Sequence, residues 1–262
     1  EGDDLRIYAC GGDGTLNEVI NGMAGFDNVS VTHCPSGSGN DFVKIFDHPE
    51  AFTDLERFLD CQEAHFDLIR CQSGEQVRYA GNVCSMGLDA RIGTQIGRYR
   101  RLPLVSGKGA YALSTVVNVL EGIRRPYIIE MNDQRISGDQ TLVCICNGRW
   151  YGGSFNPVPD AEPDDGLLDV LLVKPVNLFQ VAAVIGKYQK GQYAQYPQLI
   201  RHFRTDKLRI QCTEQSVVNI DGEALDSLDA TFTAVPHALR FFYPTGLQYL
   251  SKERKAEQIG AF

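Results

Sequence analysis

The chain opens on a short apolar run, Leu5, Ile7, Tyr8 and Ala9, which predicts a buried strand over residues 5–10. Residues 15–24 then take helical spacing. A second apolar run, "VSVTHC", passes into another glycine-rich turn, "PSGSGNDF", and from there into a short helix. Strand, glycine turn and helix, twice within 45 residues, predict a parallel βα-type sheet. A further amphipathic helix is predicted at "TDLERFLDCQ", with Thr53 or Asp54 as its N-cap.

From about residue 65 the period changes. Short runs rich in Val, Ile, Leu, Tyr and Phe recur as "HFDLIRCQ", "VRYAGNVCS", "YIIEM", "RISGDQTLVCICN", "LLDVLLVK", "KLRIQC", "SVVNIDGE", "TFTAVP" and "LRFFYP". Turn dipeptides such as Asn132-Asp133, Ser137-Gly138 and Asp165-Gly166 separate them. Helical patterns interrupt only near 109–123 and 177–190. Many short alternating strands predict an antiparallel sandwich or barrel. The expected organisation is an α/β domain over 1–63 and a β-sandwich over 64–244. A tail over 245–262 is expected to return to the first domain.

Composition narrows the class. The chain has 262 residues, 43% of them hydrophobic, and a net charge of −8. No apolar run reaches the roughly 18 residues of a transmembrane helix. "EGDDLRIYAC" holds no basic region followed by an apolar stretch, so no signal peptide is expected. The missing initiator Met and the immediate strand predict that an N-terminal piece is absent. Eight scattered Cys form no C-x-x-C pair, and the five His are equally dispersed. Neither a zinc site nor a disulfide scaffold follows; buried free thiols in a reducing cytoplasm do. The acidic balance argues against nucleic-acid binding by bulk charge.

The first glycine turn, "GGDGT", carries the chemistry. The first N–H groups of a helix lack partners, and the helix dipole favours negative charge there. Gly11, Gly12 and Gly14 would let an anion touch that backbone, which makes a phosphate cradle. For glycines alone, a tight strand-to-helix turn explains the pattern equally well. Asp13 separates the readings: a carboxylate among phosphate-facing amides needs a cation or a transferable proton, as in phosphoryl transfer with a divalent metal. No G-x-x-x-x-G-K-[ST] occurs, and the dinucleotide fingerprint fails at Asn17, where its third glycine belongs.

"GGDGTLNEVING" followed by "PSGSGNDF" resembles the diacylglycerol kinase catalytic domain, in particular the soluble bacterial lipid kinases related to sphingosine and ceramide kinases. "GNVCSMGLDARIG", "NGRWYGGSFNPVPDAEPDDGLLDV" and "VNIDGE" continue the resemblance in the family's order. An NAD kinase shares the GGDGT element without this downstream set. The resemblance implies an NAD kinase/phosphofructokinase-like α/β nucleotide-binding domain followed by an antiparallel β-sandwich. It implies ATP in the cleft, touching Gly11, Gly12, Asp13, Gly14, Thr15, Leu16 and Asn17, and Ser38, where relatives usually carry Thr. It also implies an upstream strand and an Asn-Pro loop that nothing before Glu1 supplies.

Asp160, Glu162, Asp164, Asp165 and Asp169 fall within ten residues. Such a run is a solvated acidic loop or, on a Pro/Gly-rich turn before an apolar strand, a place for a hard cation. The resemblance places a structural Mg²⁺ here, on the Asp165 carboxylate and the main-chain oxygens of Glu162 and Leu167. Turn chemistry alone explains Asp221 and Gly222 in "NIDGEAL". The resemblance makes Glu223 the base that takes the lipid hydroxyl's proton, with Asp13 the rival for that role. Asp89 matches a position near the acceptor hydroxyl. Asp41 reads as an N-cap, with a substrate-side position as the alternative. "RYRRLPLVSGKG" sets Arg98, Arg100, Arg101 and Lys108 around Leu102, Leu104 and Val105, which suits an anionic bilayer and equally a solvated loop.

The combined expectation is a Mg²⁺- and ATP-dependent lipid kinase that phosphorylates the primary hydroxyl of diacylglycerol or a similar lipid, giving phosphatidic acid. It would be cytoplasmic, transiently at the inner face of the membrane, without a nucleic-acid partner, and a homodimer is admitted. The rival expectations are a soluble-metabolite kinase of the NAD kinase type and a non-catalytic nucleotide- or lipid-binding relative.

Overall fold

The structure, a computed structural model, describes residues 4–87 and 124–249. The predicted helix at 109–123, Asp89 and the basic stretch at 98–108 lie outside the described residues.

Strand β1 (Leu5–Gly11) pairs in parallel with β2 (Val29–Pro35), Leu5 opposite Val29 and Cys10 opposite Cys34. Helix α1 (Asp13–Met23) connects them and buries Leu16, Ile20 and Met23, the i, i+4, i+7 stripe of an amphipathic helix. It starts two residues earlier than the periodicity suggests, which draws Asp13 and Gly14 into its first turn. The amphipathic helix expected at "TDLERFLDCQ" is instead a single 3-10 turn, Leu55–Leu59. Of its apolar residues only Phe58 is buried, whereas Leu55 and Leu59 are exposed, so no continuous face supports a longer helix. Asp54 caps the turn by accepting from the Glu56 amide at 3.1 Å.

The remaining strands are β3 (Cys61–Ser73), β4 (Gln76–Ala80), β5 (Val83–Gly87), β6 (Arg125–Met131), β7 (Gln134–Gln140), β8 (Leu142–Cys146), β9 (Leu168–Val173), β10 (Ile200–Thr205), β11 (Lys207–Ile220) and β12 (Glu223–Pro244). Helix α2 (Leu178–Tyr188) stands between β9 and β10 behind a capping box made by Asn177 and Gln180. All pairings after β2 are antiparallel except β12 with β2. The fold is an α/β unit followed by an antiparallel sandwich, joined in one hydrogen-bonded sheet network.

Several separate apolar runs merge. "KLRIQC" and "SVVNIDGE" share β11 across a bulge between Gln211 and Ser216, and "TFTAVP" and "LRFFYP" share β12 across a bulge between Val235 and Leu239. β12 begins against β11 and ends against β3 and β2. Phe66 and Leu68 of β3 and Leu239, Phe241, Phe242 and Tyr243 of β12 therefore fill the core of the first unit, together with Leu247. Phe42, Phe46, Phe52, Phe66 and Phe241 form its aromatic centre, with Phe42 and Phe241 centroids 4.9 Å apart. Each such ring contributes about 1.5–3 kcal/mol by burial alone.

In the sandwich, alternation divides one strand between two layers. Val143 and Ile145 of β8 enter the inner cluster with Met86, Ile129, Val170, Leu208, Val218 and Phe232. Leu142, Cys144 and Cys146 face the outer cluster beneath α2, with Leu171 and Tyr188. Burial on both faces is why "LVCIC" reads as an unbroken apolar run. All eight cysteines are free; Cys71, Cys84, Cys144 and Cys146 are buried, whereas Cys10 is exposed and Cys34, Cys61 and Cys212 are partly covered. The expectation of buried free thiols holds for those four and is corrected for the other four.

Candidate active site

The two glycine turns touch backbone to backbone. A Cβ on Gly12 would lie 3.3 Å from Gly37 Cα, and one on Gly37 would lie 2.5 Å from Gly12 Cα. The Ser36 amide donates to Gly11 O at 2.8 Å, and His33 Nε2 lies 3.0 Å from the same oxygen. Burial lowers the His33 pKa, against the Gly11 carbonyl and Asp13, which raise it. Asn40, at φ 52°, closes the second turn on itself: its Oδ1 accepts from the Gly37 amide and its Nδ2 donates to Gly37 O.

Asp13 is the junction of the two turns. Its Oδ2 accepts from the Asn40 amide at 2.8 Å and its Oδ1 from the Asp41 amide at 2.5 Å. Gly39 must lack a side chain because a Cβ there would strike Asp13 Oδ2. The carboxylate thus sits in the first turn of α1, pinned by backbone from the second loop. Gly14 has open space about it, and Ser38 is exposed. Leu16 and Asn17, grouped with the nucleotide contacts in sequence, lie beneath this surface. Leu16 packs in the core, while Asn17 Nδ2 donates to Tyr79 O at 3.0 Å and lies 3.5 Å from Asp221 Oδ2.

Asp41 holds the N-cap position of the 3-10 turn Phe42–Ile45, but its side chain caps nothing. It is buried, and instead grips the opposite unit: the Gly153 amide donates to Oδ2 at 2.9 Å, and Lys44 Nζ donates to Oδ1 at 2.6 Å. Lys44 Nζ also donates to Gly153 O at 2.7 Å and lies 5.4 Å from the Trp150 ring centroid. Burial pushes the Asp41 carboxyl up, while Lys44 and the Gly153 amide pull it down. The sequence carried no sign of this strap, because its partner is a main-chain group in "WYGGS".

Asp221 is likewise more than a turn residue. Its Oδ2 accepts from the amides of Gly81 at 2.7 Å and Asn82 at 3.1 Å, and its Oδ1 from Val83 at 2.8 Å. These bonds break the predicted "VRYAGNVCS" strand into β4 and β5 and fix the Asp221–Gly222 turn beside α1. Burial, with a smaller push from the nearby Asp13 charge, raises the Asp221 carboxyl to about 6 in spite of the three amides. Glu223 is exposed at the start of β12, two residues on.

The acidic loop is folded around guanidinium groups. Asp165 pairs with Arg204 and accepts from the Leu167 amide at 3.0 Å. Asp169 takes His202 Nε2 at 2.6 Å and Arg204 Nε at 3.5 Å. Buried Arg149 donates to Ala161 O, with Glu162, Asp160 and Asp164 around it. Burial raises the Asp164 and Asp165 carboxyls. Asp67, absent from the sequence reading, is fully buried and ties the loop down by accepting from Gly166 at 2.6 Å and His237 at 2.8 Å. Among the described residues no three His, Cys, Asp or Glu side chains converge as a metal-ligand cluster. One carboxylate and two carbonyl oxygens suit a hard cation in kind, but a cation on Asp165 would have to displace Arg204.

The diacylglycerol kinase catalytic domain matches residues 1–71, and the YegS C-terminal NAD kinase beta sandwich-like domain matches residues 82–243. A "putative lipid kinase" of Staphylococcus carnosus (strain TM300) is 25% identical over 221 residues, covering 84% of this chain and 70% of its own. A "putative lipid kinase" of Staphylococcus aureus (strain JH9) is 26% identical over 239 residues, with 89% and 75% covered. The crystal structure of "a putative diacylglycerol kinase" from Bacillus anthracis str. Sterne superposes with a TM-score of 0.67 at 23% identity, covering 92% of this chain and 78% of that one.

Proposed function

The chain belongs to the diacylglycerol kinase catalytic-domain family, with a YegS-type sandwich as its second unit, and from that premise we propose an ATP-dependent lipid kinase that phosphorylates a primary hydroxyl of diacylglycerol or a similar lipid. The observation that carries this reading is the Asp13 junction. A carboxylate in the first turn of a helix, held by the amides of Asn40 and Asp41, lies within electrostatic reach of Asp221 in the turn that leads to Glu223. A passive anion site has no use for that charge. Phosphoryl transfer does, because the phosphates must be aligned and the attacking hydroxyl must lose a proton.

In this reading the amides at the α1 N-terminus and the exposed glycine backbone of both turns hold the phosphates. Glu223 accepts the proton of the lipid hydroxyl, and Asp13 orders the phosphate end. Asp13 would hold a divalent cation there, which would supply neutralisation of charge on the transferred group. The acidic loop at Asp165 is a second, structural place for Mg²⁺, in competition with Arg204. Residues 1–63 and 64–244 are the nucleotide and lipid-side units of this scheme.

The test is ATP consumption by the purified chain with dispersed diacylglycerol, with NAD and with neither. Turnover dependent on diacylglycerol is the expected result. Turnover dependent on NAD would replace the lipid reading with a soluble-metabolite kinase, and ATP binding without turnover on either would leave a non-catalytic relative.

A further inference from the structure

Helix α2 is apolar on two opposite faces. Val181, Val184 and Tyr188 turn inward onto the outer cluster of the sandwich. Phe179, Ala182, Ala183 and Gly186 recur on the other side at three- and four-residue spacing and are exposed. Phe179 is 86% exposed, and Ile185, at the edge of the stripe, 36%. A helix on the surface of a water-soluble unit ordinarily carries charge on its outer face, and one apolar all round is ordinarily covered. Among the described residues nothing covers this one.

The charge around it departs from the rest of the chain. Between Asp169 and Asp206 there is no Asp or Glu, whereas Lys174, Lys187, Lys190, Arg201 and Arg204 all fall there, in a protein of net charge −8. Arg204 is held by Asp165 and Asp169, and Arg201 lies over the Phe203 ring. Lys174, at the entry to α2, and Lys187 and Lys190, at its exit, are exposed and pair with no carboxylate among the described residues. Apolar residues along a helix, flanked by unpaired lysines, are the composition that lies in the headgroup region of an anionic bilayer.

The position is also apt. The exit of α2 is fastened to the loop that rests on the second glycine turn. Gln189 Nε2 donates to Ser154 Oγ at 3.0 Å, the Asn156 amide donates to Gln189 O at 2.9 Å, and one residue earlier Gly153 is held by Asp41 and Lys44. A surface seated on α2 is therefore linked by these four hydrogen bonds, through Ser154, Asn156 and Gly153, to the backbone that pins Asp13.

We propose that the outer face of α2, with Lys174, Lys187 and Lys190, is the surface on which this protein docks onto an anionic lipid bilayer. The lipid-kinase reading gives this docking its purpose, while the exposed stripe and the local charge are its evidence. The basic stretch at 98–108 is a different segment and is not needed for it.

The test is sedimentation of the whole chain with phosphatidylcholine vesicles, with and without phosphatidylglycerol, alongside thermal melting and size-exclusion chromatography. The parent should bind the phosphatidylglycerol vesicles and not the neutral ones. Phe179→Asp should abolish that binding with the melting temperature unchanged. Lys187→Glu with Lys190→Glu, which alters no packing, should weaken it about tenfold or more, as expected for charges at a membrane surface. Binding by the parent that survives either variant would overturn the proposal and move docking elsewhere, and so would a parent that binds no vesicles. A drop in melting temperature on Phe179→Asp with binding retained would mean that the chain itself covers the stripe. A parent dimer that Phe179→Asp dissociates would mean that a second copy covers it. Because sedimentation reads no turnover, a chain that docks but phosphorylates no lipid would sink the kinase reading and leave this one standing.

Discussion

Asp221 adopts the left-handed backbone at φ 48° and holds three consecutive amides that begin at Gly81, 140 residues earlier in the chain. Its carboxyl titrates near 6 in the fold against an ordinary value of 3.8 because burial opposes the charge more than the amides favour it. A raised carboxyl stabilises the fold fully below its unfolded pKa, and that contribution is lost as pH rises through the folded one. From pH 4, where the unfolded carboxyl is already partly ionised, to pH 7 the shift of about two units corresponds to a loss of about 2 kcal/mol. Asp221→Asn cannot ionise, so the stability of the parent relative to this variant should fall by that order across the window. Urea denaturation of both proteins at pH 4 and pH 7 measures the difference, and a difference that stays constant would show that Asp221 is not the group concerned. Asp13 was legible in the sequence because glycines bracket it on both sides. Asp221, Asp41 and Asp67 were not, since each binds main-chain amides, and a backbone donor leaves no trace in residue type.

Between elements, the strap from Asp41 and Lys44 to Gly153 is the contact that sets the sandwich loop upon the second glycine turn. Gly152 and Gly153, at φ 59° and 81°, let the loop bend there, and a Cβ on Gly153 would lie 3.5 Å from Gly39 Cα. Lys44→Met keeps the length of the side chain and removes its charge. It leaves a buried carboxylate with one amide partner, a loss of about 1–3 kcal/mol. Trp150, the chain's only tryptophan, lies against the Lys44 ammonium and reports the change. Its emission should shift, and the Gly153 amide should lose protection from hydrogen exchange. An unaltered spectrum together with unaltered protection would show that the loop is held by other contacts. At this scale the sequence was legible in the helical period of α1 and α2 and in the unbroken apolar run of β8, buried on both faces. β1 forms where expected but is not the buried strand its apolar run predicts, since Leu5 and Tyr8 are exposed and only Ala9 is buried. The sequence misled at Leu55 and Leu59, whose spacing mimics a helix although both side chains face solvent, and it hid the joining of runs across the bulges of β11 and β12.

Across the whole molecule, the change of period near residue 64 revealed two units, but not that β3 and β12 serve both. β12 starts at Glu223 in the sandwich and finishes at Pro244 in the core of the first unit. The proposed base therefore stands at one end of a strand whose other end pairs with β2 and β3 in the first unit, while Asp13 stands at the mouth of α1. The Glu223 residue is exposed and its side chain has no hydrogen-bond or ion-pair partner among the described residues, whereas both oxygens of Asp13 accept backbone amides. A group that must take a proton from an incoming hydroxyl needs free lone pairs, and a group that must hold two loops together does not. Glu223→Gln keeps size and hydrogen-bonding capacity but cannot accept the proton. Its kcat should fall by about 10²–10⁴-fold, the usual contribution of a positioned base, with ATP-analogue affinity close to that of the parent. Asp13→Asn replaces one acceptor with an amide that cannot accept from Asn40 and Asp41 together. It should lower ATP-analogue affinity and turnover in step, because the turns it joins would separate. Calorimetric titration and single-turnover kinetics on the two variants divide the roles. Parent-like turnover in Glu223→Gln would pass the base to Asp13 and return the Asp221–Glu223 segment to a plain hairpin turn.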